Sequence, residues 1–356
     1  MKTNHNNFLK LAFNLARVNL GKTGLNPSVG CVVVRNNAVI SSGYTSVNGR
    51  PHAEFNALKL KKNFKNSDLY VTMEPCTHYG ETPPCTNIIS KKGIKRVFFS
   101  FYDKDVRTAK NIKTKLANKK IKVYRKFNNN FRNFYKSYFL TKKSTTPFVD
   151  AKIAVSKDFF TIDKRAKWIT NSFSRNRTHL IRSEYDAIIS TSKSIIKDNS
   201  LLNCRLNGFN KSKPDLIIID MKLKIKTNLD LFKKINKRMI TVVTSANNNK
   251  MTSHLRKRGV KIILINSLKN RKDFINLFKV LRKYDYNRIL VESGLIFLRK
   301  LLKNKLIFNL YMFQSSTKLG ERGKNNISNI FLKKLNLKNK INVNLNGDKL
   351  YKVKIK

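Results

Sequence analysis

Short apolar runs alternate with helical patterns along nearly the whole chain, and this alternation restricts the fold more than any other feature. Strands are predicted in the first half at Cys31–Val34, Leu69–Met73 and Arg96–Phe101. In the second half they are predicted at Phe148–Val155, Ala187–Thr191, Leu216–Asp220, Ile240–Thr244, Lys261–Ile265 and Arg288–Glu292. Alternation of this kind is typical of α/β proteins, so we expect an α/β fold in both halves.

Helical periodicity occupies several of the intervals between these strands. Helices are predicted at Phe8–Leu20, Ala53–Lys61, Thr86–Lys92, Phe131–Leu140, Ser172–Arg182 and Asp273–Lys283. Asn36 and Asn37, which stand between two apolar runs, predict a hairpin turn because asparagine tolerates turn conformations.

The length of 356 residues exceeds what one hydrophobic core usually supports, which favours two domains. The polar segment Thr141–Pro147 predicts the linker, and we place the domains at residues 1–145 and 146–356. The halves share no internal repeat. We therefore expect two different domains with different chemistry.

Positive charge is in large excess. Lysine and arginine total 75 against 20 aspartates and glutamates, which gives a formal net charge of +55. Such charge favours anionic substrates and nonspecific polyanion binding. The basic residues are spread over the whole chain, and no helix-turn-helix or zinc-finger pattern accompanies them, so we expect no specific nucleic-acid partner.

The cysteines and the N-terminal stretch bear on location. Four scattered cysteines in a long chain do not make a disulfide scaffold, which favours a reducing cytoplasm. Lys10, Asn14 and Arg17 interrupt the first helical stretch and exclude an apolar signal-peptide core. No apolar run approaches the roughly 20 residues of a membrane span. We expect a soluble protein with no membrane partner.

One histidine and two cysteines form the sharpest motif. His52 and Glu54 stand in the segment PHAE, and Cys76 and Cys85 stand in the block EPCTHYGETPPC. One imidazole and two thiolates suit zinc and leave its fourth position for water, whose pKa zinc lowers to about 7. Glu54 lies two residues from His52, near a helix start, so we expect it to carry protons rather than bind the metal.

An H-x-E motif followed by ligand cysteines is the signature of zinc deaminases. The eight residues between Cys76 and Cys85 make the block resemble the deaminase of bacterial riboflavin synthesis, as does the segment NPSVGCV that begins at Asn26. The resemblance implies a cytidine-deaminase-like three-layer α/β/α domain that binds one zinc ion per chain. It also implies that Asn26 hydrogen-bonds the pyrimidine, and an asparagine amide has the donor and acceptor for this.

Segments of the second half resemble the riboflavin-pathway reductase in the same order. They are KIAVSKD from Lys152, WIT from Trp168, DAI from Asp186, the block from Lys197 to Arg205, and VESG ending at Gly294. The resemblance implies a dihydrofolate-reductase-like α/β domain that uses NADPH. The substrate contacts it implies are Arg182, Leu202, Arg205 and Glu292. The NADPH contacts it implies are Ala154, Trp168, Ser194, Asp198 and Gly294.

Physical arguments support part of this assignment. A pair of guanidinium groups is suited to clamp a ribose phosphate, which favours Arg182 and Arg205. Backbone amides at the helix start after Gly294 are suited to a cofactor phosphate. Trp168 fits a nicotinamide pocket or, equally, a hydrophobic core. No GxGxxG follows an early strand, so a Rossmann cofactor domain is not expected.

Some positions depart from the family pattern. They are Thr45 in place of histidine, Glu81 in place of a basic residue, Lys104 in place of proline, Phe159 in place of glycine, and Ala166 and Met221 in place of hydroxyl residues. Glu81 would repel a substrate phosphate unless it points into solvent or a neighbour such as Arg50 neutralises it.

These resemblances together predict a bifunctional enzyme of riboflavin biosynthesis. A zinc-dependent step would remove the 2-amino group of 2,5-diamino-6-ribosylamino-4(3H)-pyrimidinone 5′-phosphate, and an NADPH-dependent step would reduce the ribosyl group to ribityl. One alternative is a tRNA-type base deaminase with a basic RNA-binding second domain, which the net charge favours and the cysteine spacing opposes. Another is a polyanion-binding protein built on a decayed deaminase. A homo-oligomer is left open.

Overall fold

The computed structural model describes residues 4–60, 62–127, 129–207, 214–233, 238–246 and 249–356. The chain divides into two compact units, Met1–Ser144 and Thr145–Lys356. Lys61, the last residue of one predicted helix, lies outside the described residues.

The first unit is a mixed α/β structure. Its helices are α1 (His5–Ala16), α2 (Ala53–Leu58), α3 (Cys85–Lys91), α4 (Ile112–Ala117) and α5 (Lys136–Thr141). Its strands are β1 (Gly30–Arg35), β2 (Ala38–Tyr44), β3 (Asp68–Met73), β4 (Arg96–Phe101) and β5 (Lys122–Arg125). In the described residues they form one five-stranded sheet in the order β2-β1-β3-β4-β5. β1 is antiparallel to β2 and β3, and β3, β4 and β5 run parallel.

Helices cover both faces of this sheet, which makes three layers. Alternate side chains of a strand point to opposite faces. Val32 and Val34 therefore pack with Leu9 of α1 on one side. Val33 of the same strand packs with Ala57 of α2 and with α3 on the other side. The α/β/α arrangement expected for the first half is confirmed.

The predicted hairpin turn is present. Asn36 and Asn37 connect β1 to β2 with φ angles of 50° and 60°, the left-handed conformation that a tight hairpin requires and asparagine tolerates.

The helix predicted at Ala53–Lys61 ends early, at Leu58, and the one predicted at Thr86–Lys92 lies at Cys85–Lys91. Two further helix predictions in this unit differ for reasons that the structure shows. The helix predicted at Phe8–Leu20 begins at His5 and ends at Ala16, because Asn4 caps its start and the chain then forms shorter turns before Gly21 at φ 81°. The helix predicted at Phe131–Leu140 is replaced by turns that lead into α5.

Aromatic packing explains the second difference. The ring of Phe131 stacks on Phe13 with centroids 4.0 Å apart, and the Tyr135 hydroxyl donates to the Ser28 carbonyl at 3.0 Å. These tertiary contacts override the local helical pattern.

The second unit is larger. Its helices are α6 (Ser172–Arg182), α7 (Ser192–Asp198), α8 (Asp230–Lys233), α9 (Asn249–Lys257), α10 (Arg271–Lys283), α11 (Leu295–Lys303) and α12 (Ile330–Lys333). Its strands are β6 (Phe148–Val155), β7 (Ile162–Asp163), β8 (Ala187–Thr191), β9 (Asp215–Ile219), β10 (Ile240–Thr244), β11 (Lys261–Leu264), β12 (Arg288–Glu292), β13 (Asn309–Gln314), β14 (Gly323–Lys324) and β15 (Lys349–Lys354).

Within the described ranges of this unit the main sheet has eight strands in the order β11-β10-β9-β8-β12-β6-β13-β15. They run parallel from β11 to β13, and β15 is antiparallel to β13. Ile189 faces a core shared with α10 and α11, whereas Ile188 faces one shared with α6, α7 and α9. Helices therefore cover both faces, and the carboxyl ends of the central strands open at one edge, where α/β proteins bind ligands.

The strands predicted in this half are present within one residue at each end, and α6 matches its predicted bounds. α10 begins at Arg271 rather than Asp273 because Asn270 and Asp273 form a capping box. None of the helices in the described ranges has the length and apolar character needed to cross a bilayer.

Candidate active sites

The three predicted zinc ligands come together in the first unit. His52 is the N-cap residue of α2, Cys85 is the first residue of α3, and Cys76 lies in the loop after β3. Two helix starts and one strand end therefore bring the ligands to one point. Their ligand atoms all lie within 4.8 Å of one another.

The donor set fits a tetrahedral zinc ion. His52 Nδ1 is 3.6 Å from Cys76 Sγ and 3.4 Å from Cys85 Sγ. Bond lengths of about 2.3 Å to sulfur and 2.0–2.1 Å to nitrogen, at tetrahedral angles, place such atoms about 3.5 Å apart. Hydrogen bonds from the Cys85 thiol and from His52 lower the pKa of Cys76 to about 4, which favours the thiolate that a metal requires.

Glu54 lies beside this triad in the first turn of α2. Its side chain is buried, with 4% of the residue exposed, and it contacts the Cys85 thiol. Burial raises the pKa of Glu54 to about 7, although the neighbouring His52 opposes the shift.

A cavity of about 410 Å³ opens in front of the triad. Its lining includes Asn26, His52, Glu54 and Cys76. The Asn26 amide donates to the Gly49 carbonyl at 3.3 Å, and no other side-chain hydrogen bond of Asn26 is formed within the described residues, which leaves its second N–H and its oxygen for a ligand. The cavity is large enough for a pyrimidine ring, and the four predicted residues line it together.

The rim of the cavity carries an ion pair. Arg50 Nε is 3.0 Å from Glu81 Oε2, and Arg50 Nη1 donates to the Thr82 hydroxyl at 2.8 Å. Arg50 thus neutralises Glu81, whose side chain is 82% exposed. Thr45 is buried in the lining of the cavity, and its hydroxyl accepts the Val29 N–H at 2.9 Å.

A glutamate that the motif analysis did not single out supports one wall. The Glu74 carboxylate accepts the backbone N–H groups of Asp103, Lys110 and Ile112 at 3.3, 3.0 and 3.3 Å. It therefore holds the loop after β4, which lines the cavity through Asp103 and Asp105. The sequence feature that could have identified Glu74 is its place in the segment EPC, two residues before a metal ligand.

The second unit brings Arg182 and Glu292 into direct contact. Arg182 Nε and Nη2 donate to the two Glu292 oxygens at 2.5 and 3.0 Å, and both side chains are nearly buried. Lys152 Nζ is 3.9 Å from the same carboxylate. Burial by itself would raise the pKa of Glu292, but Arg182 and Lys152 lower it below its usual value, so it is ionised.

Leu202 and Arg205 lie on a loop that Arg182 also touches. The Asn203 carbonyl accepts Arg182 Nη1 at 3.0 Å, and Arg205 Nη1 donates to Asn203 Oδ1 at 2.7 Å. The arginine pair expected to clamp a phosphate is therefore divided in role. Arg182 is committed to Glu292, whereas Arg205 is exposed and keeps a net charge.

The predicted NADPH residues are partly assembled. The Gly294 N–H donates to the Ser194 hydroxyl at 3.2 Å, which joins the start of α11 to the start of α7. Asp198 is the last residue of α7.

Trp168 lies before α6 and is 56% exposed, which excludes the core alternative, and Arg175 lies 5.1 Å from its ring. Ala154 is half-buried in β6. In the described part of the chain, no side-chain hydrogen bond, ion pair or ring contact joins Trp168 or Ala154 to Arg182, Glu292, Ser194 or Gly294.

The other departures from the family pattern have simple environments. Phe159 has φ 66°, the left-handed conformation that favours glycine, and its ring packs against the core under α10 and α11. Met221 also packs against that core. Ala166 and Lys104 are exposed.

Comparisons with known proteins assign both units. Residues 147–348 match the family described as RibD C-terminal domain. Residues 2–101 match the family described as cytidine and deoxycytidylate deaminase zinc-binding region.

Relatives match over most of the chain. The riboflavin biosynthesis protein RibD of Buchnera aphidicola is 31% identical over 89% of this chain and 88% of its own length. That of Aquifex aeolicus is 31% identical over 88% of each. A Thermotoga maritima structure, described as a diaminohydroxyphosphoribosylaminopyrimidine deaminase/5-amino-6-(5-phosphoribosylamino)uracil reductase, has a TM-score of 0.80 and 25% identity over 99% of both chains. The chain therefore belongs to the RibD family, bifunctional enzymes of riboflavin biosynthesis that join a zinc-dependent deaminase to an NADPH-dependent reductase.

Proposed function

We propose that residues 1–145 deaminate 2,5-diamino-6-ribosylamino-4(3H)-pyrimidinone 5′-phosphate and that residues 146–356 reduce the ribosyl group of the product to ribityl. The observation that carries the proposal is the His52, Cys76 and Cys85 triad with buried Glu54 beside it in one cavity. The substrates named for the Thermotoga maritima relative support the same pair of reactions here.

In the deaminase, each residue has one task. His52, Cys76 and Cys85 hold zinc, which when bound supplies Lewis-acid activation of the attacking water. Glu54 would carry the two protons of that water in turn: the first goes to the ring nitrogen, and the second, from the added hydroxyl, goes to the departing amine, so that ammonia leaves and the carbonyl forms. Asn26 orients the pyrimidine through its free amide atoms.

In the reductase, the chain supplies alignment, and the hydride comes from NADPH. Arg205 attracts the substrate phosphate because its charge is exposed. Arg182 holds Glu292 in place, so that the carboxylate accepts hydrogen bonds from substrate hydroxyls or the pyrimidine, and Leu202 packs against the same ligand. Ala154, Trp168, Ser194, Asp198 and Gly294 contact NADPH.

The partners follow from this assignment. We propose that the physiological partner of this strongly basic chain is the phosphorylated substrate and not a specific nucleic acid. The four cysteines form no disulfide bond with one another, which supports a reducing, cytoplasmic location. A homo-oligomer is compatible with both reactions, and light scattering on the purified chain measures it.

Two single substitutions test the division of labour. Glu54→Gln is expected to lower deamination by about 10²–10⁴-fold while the reductase reaction is unchanged. Arg205→Ala is expected to raise the KM of the reductase for the phosphorylated substrate while deamination is unchanged. Ammonia release and NADPH oxidation are measured separately on each variant.

The zinc content of Glu54→Gln serves as the control, because a proton carrier is not a ligand. Loss of zinc in that variant, or loss of both activities from either substitution, would contradict the assignment.

A further inference from the structure

Arg238, which precedes β10, fastens the loop that carries Leu202 and Arg205. Its Nη1 donates to the Leu202 carbonyl at 2.7 Å and to the Pro214 carbonyl at 3.1 Å. Its Nη2 donates to the Leu201 carbonyl. One guanidinium therefore connects the backbone at Leu201 and Leu202, and the backbone at Pro214, with the residues just before β10.

The loop needs such a support because Leu202 is in an unfavourable conformation. Its φ is 48°, in the left-handed region that side chains bearing a Cβ rarely occupy. Backbone strain of this kind persists only where surrounding contacts enforce it, and it concentrates at functional sites. Arg238 holds the carbonyl of this very residue.

On its other side the same loop meets the residues of the substrate site. The Asn203 carbonyl accepts Arg182 Nη1 at 3.0 Å and His179 Nδ1 at 2.9 Å. Burial and the nearby Arg182 lower the pKa of His179 to about 4, so the ring is neutral and its Nδ1 donates to this carbonyl. Arg238 therefore holds the loop through the carbonyls of Leu201 and Leu202, and α6 holds it through the carbonyl of Asn203.

From this arrangement we propose that Arg238 is a positioning residue of the reductase. It keeps Leu202 in its left-handed conformation and thereby presents Leu202 and Arg205 to the phosphorylated substrate. The inference rests on the substrate roles given above to Leu202 and Arg205. Arg238 acts through the loop and contacts neither substrate nor NADPH.

The chemistry of the contact favours arginine specifically. Three carbonyl oxygens from two segments must be met by one rigid group, and the guanidinium fork presents several N–H donors in one plane. A lysine ammonium at the same position has a flexible stem and no fixed fork. Arg182 and Arg205 are close enough that, after burial, they contribute to lowering the pKa of Arg238 to about 10, which agrees with its place next to the site.

The matched control is Arg258. It also donates to two backbone carbonyls of this unit, those of Thr227 at 2.8 Å and Phe232 at 3.4 Å, and like Arg238 it is half-buried. The two carbonyls that Arg258 contacts lie outside the loop from Leu201 to Arg205. Arg258→Met therefore has the same chemical change without the proposed positioning role.

The test uses the full chain with NADPH and 5-amino-6-(5-phosphoribosylamino)uracil. Arg238→Met is expected to raise the KM for the uracil substrate about tenfold or more, equivalent to 1.4 kcal/mol, with the KM for NADPH within about twofold of wild type. The KM of Arg238→Lys for the uracil substrate should lie between those of wild type and Arg238→Met. Arg258→Met should leave both KM values within about twofold of wild type.

A purely structural role gives a different pattern. The proposal is overturned if Arg238→Met leaves the KM for 5-amino-6-(5-phosphoribosylamino)uracil unchanged. It is also overturned if Arg258→Met raises that KM equally. If Arg238→Met does not fold, Arg238→Lys decides, combined with Arg205→Ala in a double-mutant cycle. Arg238→Lys should then raise the KM less in the Arg205→Ala background than alone, because both act on one loop, and additive effects overturn the proposal.

The same cycle separates this inference from the function on which it rests. If Arg205→Ala alone does not raise the uracil KM, the substrate role of the loop is wrong. If Arg205→Ala raises it and Arg238→Lys does not, the substrate role stands and the positioning role of Arg238 is wrong.

Discussion

Glu292→Gln removes the carboxylate charge that faces two cations inside the reductase unit. Arg182 contacts both carboxylate oxygens, and the two side chains are only 11% and 7% exposed. The pair therefore belongs to the buried class, in which loss of one partner costs about 3–5 kcal/mol, and not to the exposed class worth about 0–1 kcal/mol. Because glutamine still accepts one hydrogen bond from Arg182, we expect the lower end, about 3 kcal/mol.

Tryptophan fluorescence measures this loss in the correct unit. Trp168 is the only tryptophan of the chain and lies in the Thr145–Lys356 unit, so its signal does not mix the two unfolding transitions. With a urea m-value of about 2–3 kcal/mol/M, the midpoint should fall by roughly 1–1.5 M. Glu321→Gln changes an exposed carboxylate of the same unit and should alter stability by less than about 0.5 kcal/mol.

The pH dependence gives a second check with a definite sign. Burial lowers the pKa of Lys152, and Glu292 opposes that shift. Without Glu292 the pKa falls further, so between that value and the ordinary lysine pKa the folded variant binds fewer protons than the unfolded chain. Its stability relative to wild type should then rise from pH 7 to pH 9. An unchanged urea midpoint at pH 7 would refute the reasoning, whatever the pH trend.

Three further predictions concern the deaminase unit. The purified chain should contain one zinc per chain, and chelation should abolish ammonia release while NADPH oxidation with supplied uracil substrate continues. A fragment of residues 1–145 should fold and bind zinc, because its core is separate, and this is measured by circular dichroism and metal analysis. Arg50 neutralises Glu81 in this structure, so Glu81→Lys would act by releasing Arg50 from the ion pair and adding a second cation at the rim. It should raise deaminase kcat/KM for the phosphorylated substrate about fivefold, equivalent to the ~1 kcal/mol of a solvent-exposed charge contact.

Each of these has a clear contrary result. Equal loss of both activities on chelation would show that the reductase also depends on zinc. An insoluble, zinc-free fragment would contradict a domain boundary near residue 145. For Glu81→Lys the comparison is the dephosphorylated substrate, since an equal gain there would mean that the effect is not on the phosphate. The gain should also shrink as salt increases.

The deaminase site could be predicted from sequence because its chemistry is local. His52 and Glu54 lie on one helix start, and the two cysteines lie on one short block, so spacing alone groups them in pairs. Strands with apolar runs, such as β4 and β12, were predicted with their bounds for the same reason. The fold class followed from their alternation with helices.

The remaining features depend on contacts between distant segments. β5 and β15 were missed because they are half-exposed and rich in lysine or arginine, so neither has an apolar run. β13 was missed although it is buried and largely apolar. Lys152 could have been recognised from the sequence as a candidate site residue, because it is a lysine within the apolar run of β6. The importance of Arg238 follows only from carbonyls that the fold brings to it. No spacing in the sequence could show that Arg182, more than a hundred residues away, is neutralised by Glu292.

The central claim is that one chain carries out both reactions in sequence. The most direct measurement is the mass of the product formed by the purified chain from the diaminopyrimidinone phosphate, with and without NADPH. Without NADPH the substrate mass should rise by about 1 Da, as an amino group is replaced by oxygen. With NADPH it should rise by about 2 Da more, as the ribosyl group gains two hydrogens. A substrate unchanged under both conditions, or one that stops at the first product when NADPH is present, would contradict the account.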